Sequence, residues 1–332
     1  MMKRVLSLLL AMILVLSMTA CSKEEKISIH DTEMGKLEHQ TVDVMGVTYD
    51  LFDSGYASIV SILHKDAMIT DKVSYDGKKY EVVAIGFGWD TYNEKWKQDS
   101  VFYKNQYLPE NSPEILVIPE SIKYIGSNAF MFSTAKQIKI PSHITSLGGR
   151  TFSQCVNLEL VEFPDSLNIL NPTGMFGSCY SLKFVEFPAG CEHLNMETLS
   201  ATFLDCYTLE SAVIPGDFKK LENMVFWNCN ELTDVTLCEG IETIGYQVFG
   251  NCPKLSTLVI PESVNLIEGQ TIVNCPNLID ITLPDGLDDV PADMFLNEYN
   301  LPADVSKLTI RVEESMVSYV QSIYPAANVV SK

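Results

Sequence analysis

Phe226-Trp-Asn-Cys229, Phe249-Gly-Asn-Cys252 and Ile272-Val-Asn-Cys275 stand 23 residues apart, and the apolar residues between them keep step. Three positions after each Cys comes a Leu, at Leu232, Leu255 and Leu278, followed by an alternating run: Val235-Thr-Leu237, Leu258-Val-Ile260 and Ile281-Thr-Leu283. Two of these runs end in Pro261 and Pro284, and a second apolar pair lies behind each, Val264/Ile267 and Leu287/Val290. A fixed period of this length marks a solenoid, in which one repeat cannot bury its own apolar face and must stack on its neighbours. Function is therefore expected on a stacked surface and not in a globular pocket.

The register extends both ways. A Phe column runs through Phe130, Phe152, Phe176, Phe203 and Phe226 in steps of 22, 24, 27 and 23 residues, and ends at Phe295. A Cys column follows at Cys155, Cys179, Cys206, Cys229, Cys252 and Cys275, with Ser133 and Glu298 at its ends. The Pro column is Pro119, Pro141, Pro164, Pro188 and Pro215, then Cys238 as a substitute, then Pro261 and Pro284.

The unit Leu-x-x-apolar-x-apolar-Pro-x-x-apolar-x-x-apolar followed by Phe-x-x-Cys-x-x-Leu resembles the BspA-like leucine-rich repeats of bacterial and protist surfaces. The resemblance covers roughly residues 46 to 325, with local departures at Cys238, Ile272, Glu298 and between Leu194 and Phe203. It implies a right-handed, β-rich repeat solenoid with a parallel sheet, an N-terminal β-hairpin cap and a short C-terminal helical cap. It also implies a surface-displayed recognition module with no catalytic residues to carry over.

The N-terminus reads as an export signal. Lys3 and Arg4 precede an apolar run from Val5 to Leu16, then Ser17-Met-Thr-Ala20 and Cys21. That order describes a secretory signal peptide over residues 1–20, too short to span a bilayer comfortably. Cys directly after Thr19-Ala20 looks like a bacterial lipobox, which makes Cys21 the expected lipid attachment site; an ordinary signal peptide cleaved nearby is the alternative. Residues 21–45 are mostly polar and read as a tether lifting the domain off the membrane. The expected localisation is extracytoplasmic, lipid-anchored at the cell surface.

Residues 46–114 read as the entry cap plus an insertion. Gly46-Val-Thr-Tyr49 and Tyr75-Asp-Gly-Lys-Lys-Tyr80 have hairpin character, with Asp76-Gly77 as a turn dipeptide. Between Gly86 and Ile115 the period breaks and Phe87, Trp89, Tyr92, Trp96, Phe102, Tyr103 and Tyr107 crowd together. These rings either pack over the end rung as cap material or stand exposed, with Trp89 and Trp96 stacking on sugars or gripping a peptide.

Over the repeats, 115–310, strand alternation assigns the faces. The slots of Val161 and Phe163 point inward, so Leu160 and Glu162 point outward. The outward pairs are Ile115/Val117, Gln137/Lys139, Leu160/Glu162, Phe184/Glu186, Ser211/Val213, Asp234/Thr236, Thr257/Val259 and Asp280/Thr282. Rungs stacked at ~4.8 Å would join them into one parallel ribbon. Its middle sets apolar Leu160, Phe184 and Val213 beside Glu162 and Glu186, the composition of a partner-binding patch; the alternative is that such residues stand there for β-propensity.

Stacked rungs aim the column Cys side chains in parallel, which leaves their Cβ atoms too far apart for a relaxed disulfide. Buried free thiols are expected, and Cys191 is assigned to the core as well. Leu308-Thr-Ile310 supplies a last strand, and the closing cap, 311–332, contains a helix over Glu313–Ile323 with Met316, Val320 and Ile323 on one face.

No catalytic constellation stands out among the five isolated His, and no metal or cofactor is expected. The formal charge of −20 disfavours nucleic acid, whose phosphates such a surface repels. The reading is a monomeric, non-enzymatic surface lipoprotein binding a protein or glycan of a host, a neighbouring cell or the envelope. Its alternatives are a carbohydrate-binding module built on the aromatic insertion and a passive envelope scaffold.

Overall fold

The computed structural model describes residues 39–52, 55–62, 69–90, 95–98, 114–144, 146–165, 167–169, 172–187, 198–287 and 289–332. The expected signal peptide, Cys21, most of the tether, Tyr92, Phe102, Tyr103, Tyr107 and Cys191 lie outside them.

The chain is a solenoid built on parallel strands. On the front face three-residue strands carry the outward pairs, and each rung pairs with the next in register, as Gln137↔Ile115 and Gln137↔Leu160 do. Inward and outward positions alternate as the pleat requires: Leu116, Ile138 and Leu258 are buried, while Ile115, Lys139 and Val259 are exposed. A Pro ends most of these strands because it has no N–H to give the ladder. Its carbonyl then accepts from the N–H three residues on, as in Ile144 to Pro141 (3.0 Å) and Val264 to Pro261 (3.1 Å), and this β-turn swings the chain off the front face.

One continuous front ribbon was expected, and the structure corrects this. The front strands form three separate sheets, of three, three and four strands. The first runs Ile115–Val117, Gln137–Lys139, Leu160–Glu162; the second Phe184–Glu186, Ser211–Ile214, Asp234–Leu237; the third Thr257–Val259, Asp280–Thr282, Thr309–Val312, Asn328–Ser331. The hydrogen-bonded ladder lapses between Leu160–Glu162 and Phe184–Glu186 and again between Asp234–Leu237 and Thr257–Val259, while the buried core behind it continues.

Past the Pro turn, a second ladder of two-residue strands includes Thr198–Leu199, Lys220–Leu221, Thr243–Ile244 and Leu266–Ile267. The Phe turn supplies a third. There the N–H of Phe203 donates to Val225 O (2.9 Å), that of Phe226 to Val248 O (2.8 Å) and that of Phe249 to Thr271 O (3.0 Å). Residues two before and two after the Phe adopt left-handed backbone, such as Met224 (φ 57°) and Asn228 (φ 63°) around Phe226, or Gln247 (φ 54°) and Asn251 (φ 52°) around Phe249. Asn tolerates this region best, and its amide adds a ladder of its own: Asn228 Nδ2 donates to Asp205 Oδ1 (2.6 Å), Asn251 to Asn228 Oδ1 (2.7 Å) and Asn274 to Asn251 Oδ1 (2.7 Å).

The core follows the columns. Phe130, Phe152, Phe176, Phe203, Phe226 and Phe249 are fully buried, and their rings stack at 5.3 to 5.7 Å. The 27-residue step between Phe176 and Phe203 leaves the stack intact, with planes 2° apart. In-register pairing of Phe184 with Ser211 and of Thr198 with Lys220 confines the extra residues to the stretch between 187 and 198. The column cysteines are free: Cys155, Cys179, Cys206, Cys229 and Cys252 are buried, and Cys275 is partly so.

The ends also differ from expectation. The tether stops earlier than residue 45, because His39–Val44 forms a strand antiparallel to Val47–Phe52. The joining turn takes positive φ at Met45 (53°) and Gly46 (82°), and Asp76 (49°) and Gly77 (73°) do the same between Lys72–Tyr75 and Lys78–Ile85. Such primed turns match the strand twist. Lys78–Ile85 then pairs with Tyr124–Ile125, passing the cap sheet into the solenoid. At the other end the expected helix divides into a 3-10 turn, Glu314–Met316, and an α-helix, Val317–Ile323. The last strand by sequence, Leu308-Thr-Ile310, lies at Thr309–Val312, and a further one follows at Asn328–Ser331. Tyr324 sets its ring edge-on against Phe295 at 5.2 Å, closing the end of the Phe column. No helix among the described residues is long and apolar enough to cross a membrane.

Candidate functional site

The front strands hold the expected binding residues by pairing register. Phe184 lies opposite Ser211, and Glu186 opposite Val213, so Phe184, Glu186 and Val213 share the middle sheet. Leu160 and Glu162 belong to the first sheet, opposite Gln137 and Lys139. The lapse in the ladder thus falls between the two halves of the expected patch. Phe184 is 41% exposed, Leu160 and Val213 are half-buried, and Glu162 and Glu186 are exposed. Glu162 Oε2 faces Lys139 Nζ at 3.3 Å, an exposed pair that leaves the acidic character of the patch in place.

Either end of the front face is different. Ile115 and Val117 are 57% and 69% exposed, which makes the first rung the most apolar part of the outward surface. At the far end Arg311 forks onto Asp280, Nε to Oδ1 at 3.0 Å and Nη2 to Oδ2 at 2.7 Å. The hydrogen bond to Asp280 and its charge push the Arg311 guanidinium pKa up.

Trp89 and Trp96 come together elsewhere. Phe87–Asp90 and Lys95–Gln98 form a two-stranded antiparallel hairpin in which Trp89 and Trp96 are Cα partners.

Behind the front face, Gly245 opens a recess of 470 Å³ in the second ladder, lined by Lys220, Glu222, Thr243, Leu266 and Glu268 among others. The column there reads Glu222, Gly245, Glu268, and a Cβ on Gly245 would come within 3.0 Å of Leu221 O. Among the described residues no three His, Cys, Asp or Glu side chains are grouped to hold a metal ion. Burial pushes the thiols of Cys155, Cys179, Cys206 and Cys229 well above the ordinary range, which leaves them protonated and unreactive.

Sequence reasoning missed one surface feature, the stacking of Tyr180 on Tyr207. The signal was available: each directly follows a column Cys.

A family model, the BspA type leucine rich repeat region, matches residues 99–205 and again 199–311. The chain belongs to this family. Its BspA-type repeats are the 22- to 27-residue rungs described above. No curated protein matches the chain. Among solved structures it is similar to a T. pallidum leucine-rich repeat protein at 24% identity, covering 65% of this chain and 91% of that one with a TM-score of 0.48. It is similar also to the pneumococcal vaccine antigen PcpA (14% identity, 88% and 98% coverage, TM-score 0.37). A leucine-rich repeat protein from Bacteroides ovatus shows 18% identity, 88% and 99% coverage and a TM-score of 0.33.

Proposed function

We propose that this BspA-type repeat protein is a non-enzymatic, lipid-anchored surface module whose front face binds a protein partner. The observation that carries the reading is the outward setting of Leu160, Phe184 and Val213 beside Glu162 and Glu186. An apolar cluster rimmed by charge is the composition of a recognition surface, and its core supplies most of the affinity. Export and anchoring rest on the segment from Lys3 to Cys21. The division into leader 1–20, tether, cap, repeats and closing cap belongs to the same proposal.

Binding is tested by cross-linking pull-down from intact cells of the source or its host, comparing the wild type with a Leu160→Ala/Phe184→Ala/Val213→Ser variant. Loss of specific partners from a variant that melts like the wild type supports the reading; an unchanged partner profile defeats it. Anchoring is tested by incorporation of labelled palmitate, which Cys21→Ala should abolish. A second reading, carbohydrate binding through the insertion, is favoured by the cross-strand partnership of Trp89 and Trp96. Glycan-array binding lost on changing both to Ala would establish it. A passive scaffold would show no saturable ligand in either assay.

A further inference from the structure

The rings of Tyr180 and Tyr207 lie 5.0 Å apart with planes 22° from parallel, and both are exposed, at 41% and 38%. They occupy the turns that feed Phe184–Glu186 and Ser211–Ile214. Those turns are laced together: Thr208 Oγ1 reaches the carbonyls of Tyr180 (2.7 Å) and Leu182 (3.0 Å), and Ser181 Oγ donates to Val156 O at 2.9 Å. Two flat rings held in this way lose little freedom when a ligand settles on them.

In this column Tyr207 is followed one rung on by the exposed Asn230, so no third ring extends the stack on that side among the described residues. Neither hydroxyl has a hydrogen-bond partner among the described residues. Asp205 stands two residues before Tyr207 and turns its carboxylate toward the next rung, where Asn228 lies 2.6 Å away; its charge pushes the Tyr207 hydroxyl pKa up. Asp205 Oδ1 accepts one neutral amide, from Asn228, and no cation lies within ion-pair distance among the described residues. Over these two turns and the strand residues after them the charged residues are Asp205, Glu186, Glu210 and Lys183, three acids to one base.

Ring faces are electron-rich, and a neighbouring carboxylate deepens the negative potential. A planar, weakly hydrated guanidinium suits both, since it stacks on a ring while its edge donates to an acid. We infer that Tyr180, Tyr207 and Asp205 form a docking point for an arginine side chain of a protein partner, the guanidinium lying on the outer face of Tyr207 and donating to Asp205. A neutral sugar would use the ring but not the charge, and no enclosed set of polar groups converges here to orient one. The inference rests on the protein-binding reading above, and Phe184, four residues after Tyr180, continues the surface onto the front face.

The test is a titration of full-length protein, ring-labelled at Tyr, with tetra-arginine, tetra-lysine and cellotetraose at physiological salt, followed by NMR. Tetra-arginine should move the Tyr180 and Tyr207 ring signals saturably, and tetra-lysine should bind more weakly. Tyr180→Ala/Tyr207→Ala should weaken tetra-arginine roughly fivefold and Asp205→Asn roughly threefold. Both variants must keep the wild-type melting curve; should the double variant melt early, Tyr207→Leu, which keeps apolar bulk and removes the ring, replaces it. Equal binding by wild type and variants, shifts confined to other tyrosines, or movement of these rings by cellotetraose alone would overturn the inference. Failure here with partner loss in the front-face variant leaves the broader reading standing. Binding here with an unchanged pull-down profile defeats only that one.

Discussion

Cys252 Sγ donates to the carbonyl oxygen of Phe226 at 3.1 Å, one rung earlier and 26 residues back in the chain. The same contact recurs from Cys155 to Phe130 (3.0 Å), Cys179 to Phe152 (3.1 Å), Cys206 to Phe176 (3.1 Å) and Cys229 to Phe203 (3.3 Å). The Cys column therefore fills space and also satisfies a buried carbonyl that the main chain leaves with spare capacity.

Stability should fall steeply in alkali. Burial raises the folded pKa of Cys155, Cys179, Cys206, Cys229 and Cys252, although for Cys252 the hydrogen bond with Cys275 is the larger cause. An unfolded thiol ionises near pH 8.5, so above that pH the unfolded state loses protons that the native state keeps. Each thiol's contribution is complete below about pH 8.5 and then declines by up to ~1.4 kcal/mol per pH unit. Urea midpoints between pH 7 and 10 should show this, and Cys206→Ala should flatten the slope. Thiol reagents should label these residues only on unfolding.

Removing one ring from the stack should be costly. Phe226 lies 5.3 Å from Phe203 and 5.4 Å from Phe249 and is fully buried. Phe226→Ala should destabilise by about 3–5 kcal/mol in urea unfolding, because rigid rungs on both sides cannot close the cavity.

The amide ladder separates two costs. Asn251 both donates and accepts in it at 2.7 Å and has φ 52°. Asn251→Ala should lose roughly 2 kcal/mol in chemical denaturation, and Asn251→Gly less, since only Ala also pays for left-handed backbone.

Two glycines should respond oppositely. A Cβ on Gly216 would fall 1.7 Å from Glu239 O, whereas one on Gly286 would meet nothing within 4 Å. Gly216→Ala should lower the melting temperature by several degrees or prevent folding, and Gly286→Ala should be neutral or stabilising by about 0.5 kcal/mol.

The last strand should depend on a C-terminal lysine. Lys332 Nζ reaches Glu262 Oε1 (2.5 Å), Asp285 Oδ1 (2.6 Å) and Leu283 O (2.8 Å). Lys332→Ala should speed amide exchange across Asn328–Ser331 more than elsewhere. The hydrogen bond from Lys332 holds the Glu262 pKa down, so this contribution is present above the ordinary carboxylate value near pH 4.3 and is lost as pH falls through the depressed one. Added salt should weaken it.

By itself the sequence determined the rung, its Phe, Cys and Pro columns and the face each front-strand residue takes. These follow from a recurring period and from the two-residue pleat, which are local properties of a chain. Only the tertiary structure decided where the front ladder lapses, that the Asn251 amide links its neighbours and that Asn328–Ser331 adds a strand. Each depends on how rungs of 22 to 27 residues sit against one another, and that alignment is set by packing across rungs, which no single repeat encodes.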